Sequence, residues 1–210
     1  MRVLGIDPGI TRCGIAVVDV DLMRRTTLVH VEVARSQQNI ATHFRLKTIA
    51  DAIDRVIAQF QPEVVAIERV FAQENLQSVT TTMQVMGAAM VCAARAGLPL
   101  AIHTPSEVKA AVTGNGVANK SQVQTMVARI LGLDKPPKPA DAADAIAIAI
   151  CHAWRGTGLQ GATKDGTVNV SLSGGVSARK KLTPAQEQWA QALAKSRRKG
   201  AVAPKSGRTG

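Results

Sequence analysis

Four acidic residues stand where chemistry could be done. Asp7 ends the apolar run Val3-Leu4-Gly5-Ile6 and is followed at once by Pro8-Gly9. Proline presets φ and glycine accepts positive φ, so the chain turns there and leaves a carboxylate at a strand end. Glu68 closes a second apolar run, 64–67, in the same manner. Asp141 and Asp144 open the segment 140–154, and their three-residue spacing puts both on one side of a first helical turn. Taken singly, each has an ordinary explanation: Asp7 starts a turn, and the two aspartates complement a helix dipole. If the strands ending in Asp7 and Glu68 are neighbours, all four converge. Four carboxylates in one pocket repel one another and cannot all stay ionised without cations. Oxygen donors with no His or Cys nearby suit Mg²⁺ or Mn²⁺. Two such ions about 4 Å apart would hold an attacking water and a leaving oxygen in line across a phosphodiester.

The elements that must position these residues follow from periodicity. Segments 2–7, 13–20 and about 27–34 read as strands joined by short polar turns. Connections that short allow only an antiparallel meander. From Ala41 the period changes: Leu46, Ile49, Ile53, Val56, Ile57 and Phe60 mark one face of a helix that Gln61-Pro62 ends. The run 63–68 is a buried strand. A long helix is expected at 75–96, capped by Asn75 and stopped by Gly97, with a Met- and Ala-rich centre around Gly87 that permits close helix approach. A strand at 98–103 leads into a helix with Thr104 as cap, Pro105 at its first position and Glu107 at its third, a capping box. After the Gly114-Asn115-Gly116 loop comes a helix at 119–131, stopped by Gly132. Residues 135–139 form a stiff proline-rich connector. The last core helix, 140–154, is apolar nearly all round and must be deeply packed. The order β-β-β-α-β-α-β-α-α-α predicts an α/β domain with a five-stranded mixed sheet, three strands antiparallel and two added in parallel, covered by helices on both faces.

The 210 residues suffice for one domain at 1–154 and an extension. The formal charge of +11 is uneven: eleven of the 26 Lys/Arg but two of the 15 acids follow Trp154. Nine of the 17 glycines lie there too. Residues 155–210 therefore read as a basic, Gly-rich, mostly disordered tail, a generic attractor of polyanions. One island, near 184–198 with Trp189 and Leu193, has the pattern of a short basic amphipathic helix. No apolar run reaches 18 residues, so no membrane helix is expected, and the N-terminus lacks the pattern of a signal peptide. Three widely spaced cysteines, Cys13, Cys92 and Cys151, suggest neither a disulfide framework nor a zinc site. A reduced, cytoplasmic setting follows.

Several stretches together carry a resemblance: Gly5-Ile6-Asp7-Pro8-Gly9, Ile67-Glu68-Arg69-Val70-Phe71, His103-Thr104-Pro105-Ser106-Glu107-Val108-Lys109, Lys120-Ser121-Gln122-Val123 and Asp141-Ala142-Ala143-Asp144-Ala145. In this order and spacing the chain, over about 1–154, resembles the RuvC family of bacterial crossover-junction endonucleases, which resolve Holliday junctions. The resemblance implies an RNase H-like fold, a homodimer and a two-metal site, with Asp7, Glu68, Asp141 and Asp144 as the metal-binding catalytic acids and strands that bring Asp7 beside Glu68. It implies paired symmetric nicks in four-way junction DNA, Mg²⁺ as cofactor with Mn²⁺ substituting, and partnership with the RuvA–RuvB branch-migration machine. Nothing carries over to the tail.

The resemblance also assigns DNA-binding residues. Phe71, in the polar stretch before the long helix, would staple to that helix or, as the family implies, stack on a base at the opened junction, worth roughly 1–3 kcal/mol. Lys109 and Lys120 would contact phosphates, although either taken singly reads as a solvated lysine. Arg69 is a further phosphate contact or a salt-bridge partner of Glu68 or Glu74. His152 is structural, and His103 has no assigned role. The segment 114–121 imitates a phosphate-binding P-loop, but Asn119 stands where its last glycine must be and a helix precedes it, so nucleotide binding is rejected. An actin-like kinase, whose first phosphate loop also reads Gly-Ile-Asp-x-Gly, would need a second glycine-rich phosphate segment and a larger second domain. A junction-binding protein without nuclease activity would fit the loss of any one acid, and all four are present.

Overall fold

The computed structural model describes residues 1–69 and 76–155. Phe71, the Asn75 cap, the island near 184–198 and the rest of the tail beyond Arg155 lie outside the described residues.

Strand β1 (Arg2–Asp7) is the middle strand of a five-stranded sheet ordered β3-β2-β1-β4-β5. β2 (Arg12–Val20) and β3 (Thr26–Arg35) form the expected antiparallel meander, while β4 (Val64–Glu68) and β5 (Leu100–His103) add in parallel. The helices are α1 (Thr42–Phe60), α2 (Leu76–Arg95), α3 (Pro105–Thr113), α4 (Lys120–Ile130) and α5 (Ala140–Arg155). Strand alternation divides the core in two. Leu4, Ile6, Ile15, Val17, Val65 and Ile67 point to α1 and α2. Val3, Ala16, Val18, Val64 and Ala66 point to α5 and, with it, α3 and α4. Complete burial of one Ile or Val contributes about 1.5–3 kcal/mol, and α5, packed between the sheet and α3/α4, has an unbroken buried run from Ala145 to His152. That burial explains why its apolar residues run all round.

Two glycines set how deep α5 lies. A Cβ at Gly5 would fall 2.8 Å from the Ala149 nitrogen, and one at Gly14 would fall 2.9 Å from the Asp141 carbonyl carbon. Only glycine lets the helix rest on β1 and β2 at this distance.

Element ends fall within two residues of expectation, and local chemistry accounts for the differences. β5 starts at Leu100 rather than 98 because Leu98 closes the helix end, its N–H donating to the Ala93 carbonyl at 3.0 Å behind Gly97 at φ +65. Gln61 ends α1 with its own left-handed φ of 49. Asn119 is the cap of α4: its side chain accepts from the Gln122 N–H at 2.9 Å while Gln122 returns a bond to the Asn119 N–H. This is a second capping box beside that of Thr104 and Glu107.

Candidate active site

β1 and β4 run in parallel with Ile6 opposite Ile67, so Asp7 and Glu68 follow as neighbours at adjacent strand ends. β5 continues the row with His103 opposite Glu68. Alternation turns Asp7 and Glu68 toward the α5 face, as it does Val3, Val64 and Ala66. Across the row lie the first two turns of α5 with Asp141 and Asp144. A cleft of about 340 Å³ opens between them, lined by Asp7, Glu68 and Asp144 and by Lys109 and Lys120 from α3 and α4.

Electrostatics marks this cleft as a strained collection of like charges. Burial pushes the Asp7 carboxyl up to about 7, with further upward pressure from Asp144, Glu68 and Asp141. Glu68 is pushed up to about 7 by burial and then by Asp144. Burial also raises Asp144, opposed by Lys120. The chain supplies part of the missing positive charge. Lys120 Nζ lies 3.5 Å from Asp144 Oδ2, and the Asp144 charge holds that ammonium above its ordinary range. Lys109 favours the charged form of Glu68.

Asp141 stands apart from the other three. It does not line the cleft but faces Arg12, whose Nε lies 3.1 Å from Asp141 Oδ2. That oxygen is buried and has no hydrogen-bond partner, so the contact is ionic without an aligned N–H. With Asp141 turned to Arg12 and Asp144 to Lys120, no three carboxylate, His or Cys side chains among the described residues close on one point as they stand. The donor set nevertheless fits a hard divalent cation. The acids of the cleft are oxygen donors, two of them are costly to ionise, and a fourth carboxylate beside them has an orphaned buried oxygen. Arg69 is exposed, and its backbone N–H extends the β4–β5 ladder by donating to the His103 carbonyl at 2.7 Å.

Sequence reasoning missed three features. Arg12 was passed over, although its place two residues before Gly14 puts it on the same face of β2, beside the Asp7 end of β1. In the sequence Gly5 and Gly14 are ordinary strand residues, and only the structure makes them seats for α5. His103 and His152 turn out to be buried partners, with His103 Nε2 3.1 Å from His152 Nδ1. The stripe Asp144, Ile148, His152 along α5 was the available signal for that pairing.

A 3-2-1-4-5 mixed sheet with carboxylates at the ends of two paired central strands, and on the helix crossing them, defines the RNase H-like nucleases. The comparisons agree with that class and narrow it. Residues 3–152 match the family model described as crossover junction endodeoxyribonuclease RuvC. A crossover junction endodeoxyribonuclease RuvC of Leifsonia xyli is 56% identical over 189 residues, 90% of each chain. That of Paenarthrobacter aurescens is 51% identical, covering 95% of this chain and 98% of its own. The structure of Thermus thermophilus RuvC in complex with a Holliday junction substrate superposes with a TM-score of 0.71 at 36% identity, covering 80% of this chain and 98% of that one. The chain belongs to the RuvC family and is a metal-dependent crossover-junction endonuclease.

Proposed function

We propose that the chain resolves Holliday junctions in recombination and DNA repair by paired symmetric nicks in strands of like polarity, leaving 5′-phosphate and 3′-hydroxyl ends. Asp7, Glu68, Asp141 and Asp144 are the catalytic acids and hold the metal, two Mg²⁺ per subunit with Mn²⁺ as substitute. The observation that carries this is the row of Asp7 and Glu68 at adjacent ends of paired parallel strands, with Asp144 of α5 lining the same cleft. Such ions, when bound, supply Lewis acidity for attack of water on phosphorus and departure of the sugar oxygen.

The rest of the task is positioning. Asp7 and Glu68 are fixed by strand backbone, and Asp141 and Asp144 by a helix that cannot shift without repacking the core. Lys120 stays protonated beside Asp144 and, with Lys109 across the cleft, meets the phosphates on either side of the cut. Arg69 adds a phosphate contact, and Phe71 stacks on a base at the junction centre. A four-way junction has two-fold symmetry, and a homodimer matches it with one site per nicked strand. Met83, Gly87 and Val91, at successive four-residue steps of α2, support this: all three are exposed, and nothing stands within 4 Å of a Cβ placed at Gly87. No helix among the described residues is long and apolar enough to cross a membrane. The reading sets the protein in the cytoplasm with RuvA–RuvB as partner. Residues 1–154 act as the resolvase domain.

The test is nicking of a synthetic mobile four-way junction, with linear duplex as control, in Mg²⁺ and in EDTA. Ligatable, paired, metal-dependent cuts in the junction alone, lost in Asp7→Asn while binding persists, are expected. Binding without cuts in Mg²⁺ or Mn²⁺ would leave a non-catalytic junction binder.

A further inference from the structure

Two acids of the site each face a cation of the chain, and the two cations are differently built. Lys120 lies within the cleft and touches its lining acid. Arg12 reaches in from β2 and meets Asp141 from outside the cleft. The backbone brings this pair together. Asp7 is paired with Gly14, Arg12 lies two residues beyond on the same face, and the missing side chain of Gly14 lets the Asp141 main chain rest on β2.

An ion pair built for rigidity is bidentate, aligned and dry. Here one nitrogen approaches one oxygen, that oxygen makes no hydrogen bond, and the Arg12 side chain is 55% exposed against 20% for Asp141. The guanidinium balances charge without fixing geometry, and it can swing into water once another cation takes its place at Asp141. A metal ion and a guanidinium cannot share Asp141 Oδ2, because both are positive and each needs the same lone pairs.

We propose that Arg12 is a displaceable counter-ion: it holds Asp141 in the metal-free enzyme and competes with the incoming divalent ion for that carboxylate. Metal loading is therefore an exchange of cations at Asp141. This rests on the reading that the four acids bind metal.

The experiment titrates Mn²⁺ into the DNA-free full-length protein and follows unbound Mn²⁺ by electron paramagnetic resonance, with melting of the metal-free protein alongside. Partly exposed pairs of this kind shift a competing equilibrium by about two- to fivefold. Arg12→Ala should bind Mn²⁺ tighter by that factor while its metal-free form melts lower. Arg12→Lys, which restores the charge, should return the affinity toward wild type. Arg35→Ala removes the same charge from the exposed residue paired with Arg12 on β3 and should leave the affinity unchanged. Weaker or equal Mn²⁺ binding by Arg12→Ala would make Arg12 a support for Asp141 and overturn the exchange. Equal tightening by Arg35→Ala would reduce it to a long-range charge effect and overturn it too. Mn²⁺ binding that Asp7→Asn leaves intact would instead refute the metal site itself, and the exchange with it.

Discussion

Gly14→Ala tests how the fold delivers its acids. The new Cβ would lie 2.9 Å from the Asp141 carbonyl carbon and 3.1 Å from the Ala145 Cβ, and closer still to the Asp141 carbonyl oxygen. Both groups belong to the first two turns of α5, the part that carries Asp141 and Asp144. Neither is a flexible side-chain tip that can turn away. Relief requires α5 to lift by about 1 Å at this end, since overpacked sites of this kind yield through backbone shifts costing about 1–3 kcal/mol. A displacement of about 1 Å at reacting groups costs about a hundredfold in rate. The assay is single-turnover nicking of a four-way junction at saturating Mg²⁺, with chemical denaturation of the same protein. Val112→Ala is the control. Val112 is buried on α3 away from the acids, and its truncation should destabilise by a similar amount through a cavity, about 1–3 kcal/mol. Gly14→Ala should lose about two orders of magnitude in rate at a stability where Val112→Ala keeps most of its rate. Wild-type cleavage by Gly14→Ala, or equal loss in both variants, would refute the claim that glycine sets the height of α5 over the acids.

Other consequences can be checked more briefly. Asn119→Ala removes the acceptor for the Gln122 N–H and should lower stability by about 1 kcal/mol, read as a fall in melting temperature. Burial, and then the neighbouring His103, lowers His152 to about 4. The folded protein holds this imidazole neutral while the unfolded chain protonates below about 6.5, so its contribution is complete above that pH and is lost as pH falls toward 4. Between pH 7.5 and 5 wild type should lose about 1–2 kcal/mol that His152→Gln does not, by urea denaturation in EDTA. Asp7 and Glu68, raised to about 7, act with the opposite sign, so the histidine effect is read from the difference between the two proteins. Met83→Glu with Val91→Glu places charges on the exposed stripe of α2 and should convert a dimer to monomer in sedimentation, with the folded far-ultraviolet spectrum retained.

What was legible in the sequence was what local signals encode. The change from two-residue to three- and four-residue periodicity located every described element, and Thr104 with Glu107 announced α3 because a capping box is complete within four residues. The paired carboxylates were legible as strand-end and helix-start residues. Their adjacency was not, because it depends on β4 pairing with β1 across a crossover, and only the resemblance supplied it. Arg12 and Gly14 were invisible for a related reason. An arginine followed by Cys-Gly in a strand has no local oddity, and its meaning appears only when α5, more than a hundred residues later, is laid on the same strand. Asn119 breaks the phosphate-loop pattern of 114–121, and the same side chain caps α4 in a box with Gln122.

The cleft also has a polarity that no single residue explains. Pro105 from the first turn of α3 and Lys120 from the start of α4 line it, with Lys109 and Asp144 from the second turns of α3 and α5. Two helix N-termini, those of α3 and α4, therefore meet at the open end of the β1–β4 pair. Each carries roughly half a positive charge, which at α3 the Glu107 carboxylate of the capping box offsets in part. Within the cleft, Lys120 and Lys109 oppose the burial that pushes Asp7, Glu68 and Asp144 toward protonation. The same field attracts phosphate. On the proposed reading, such an arrangement would let one site hold carboxylates for cations and still present a positive approach to a polyanion. Local lysines alone would have to neutralise the acids and bind DNA at once, and each Lys120 contact with Asp144 would then be one fewer with the backbone of the junction.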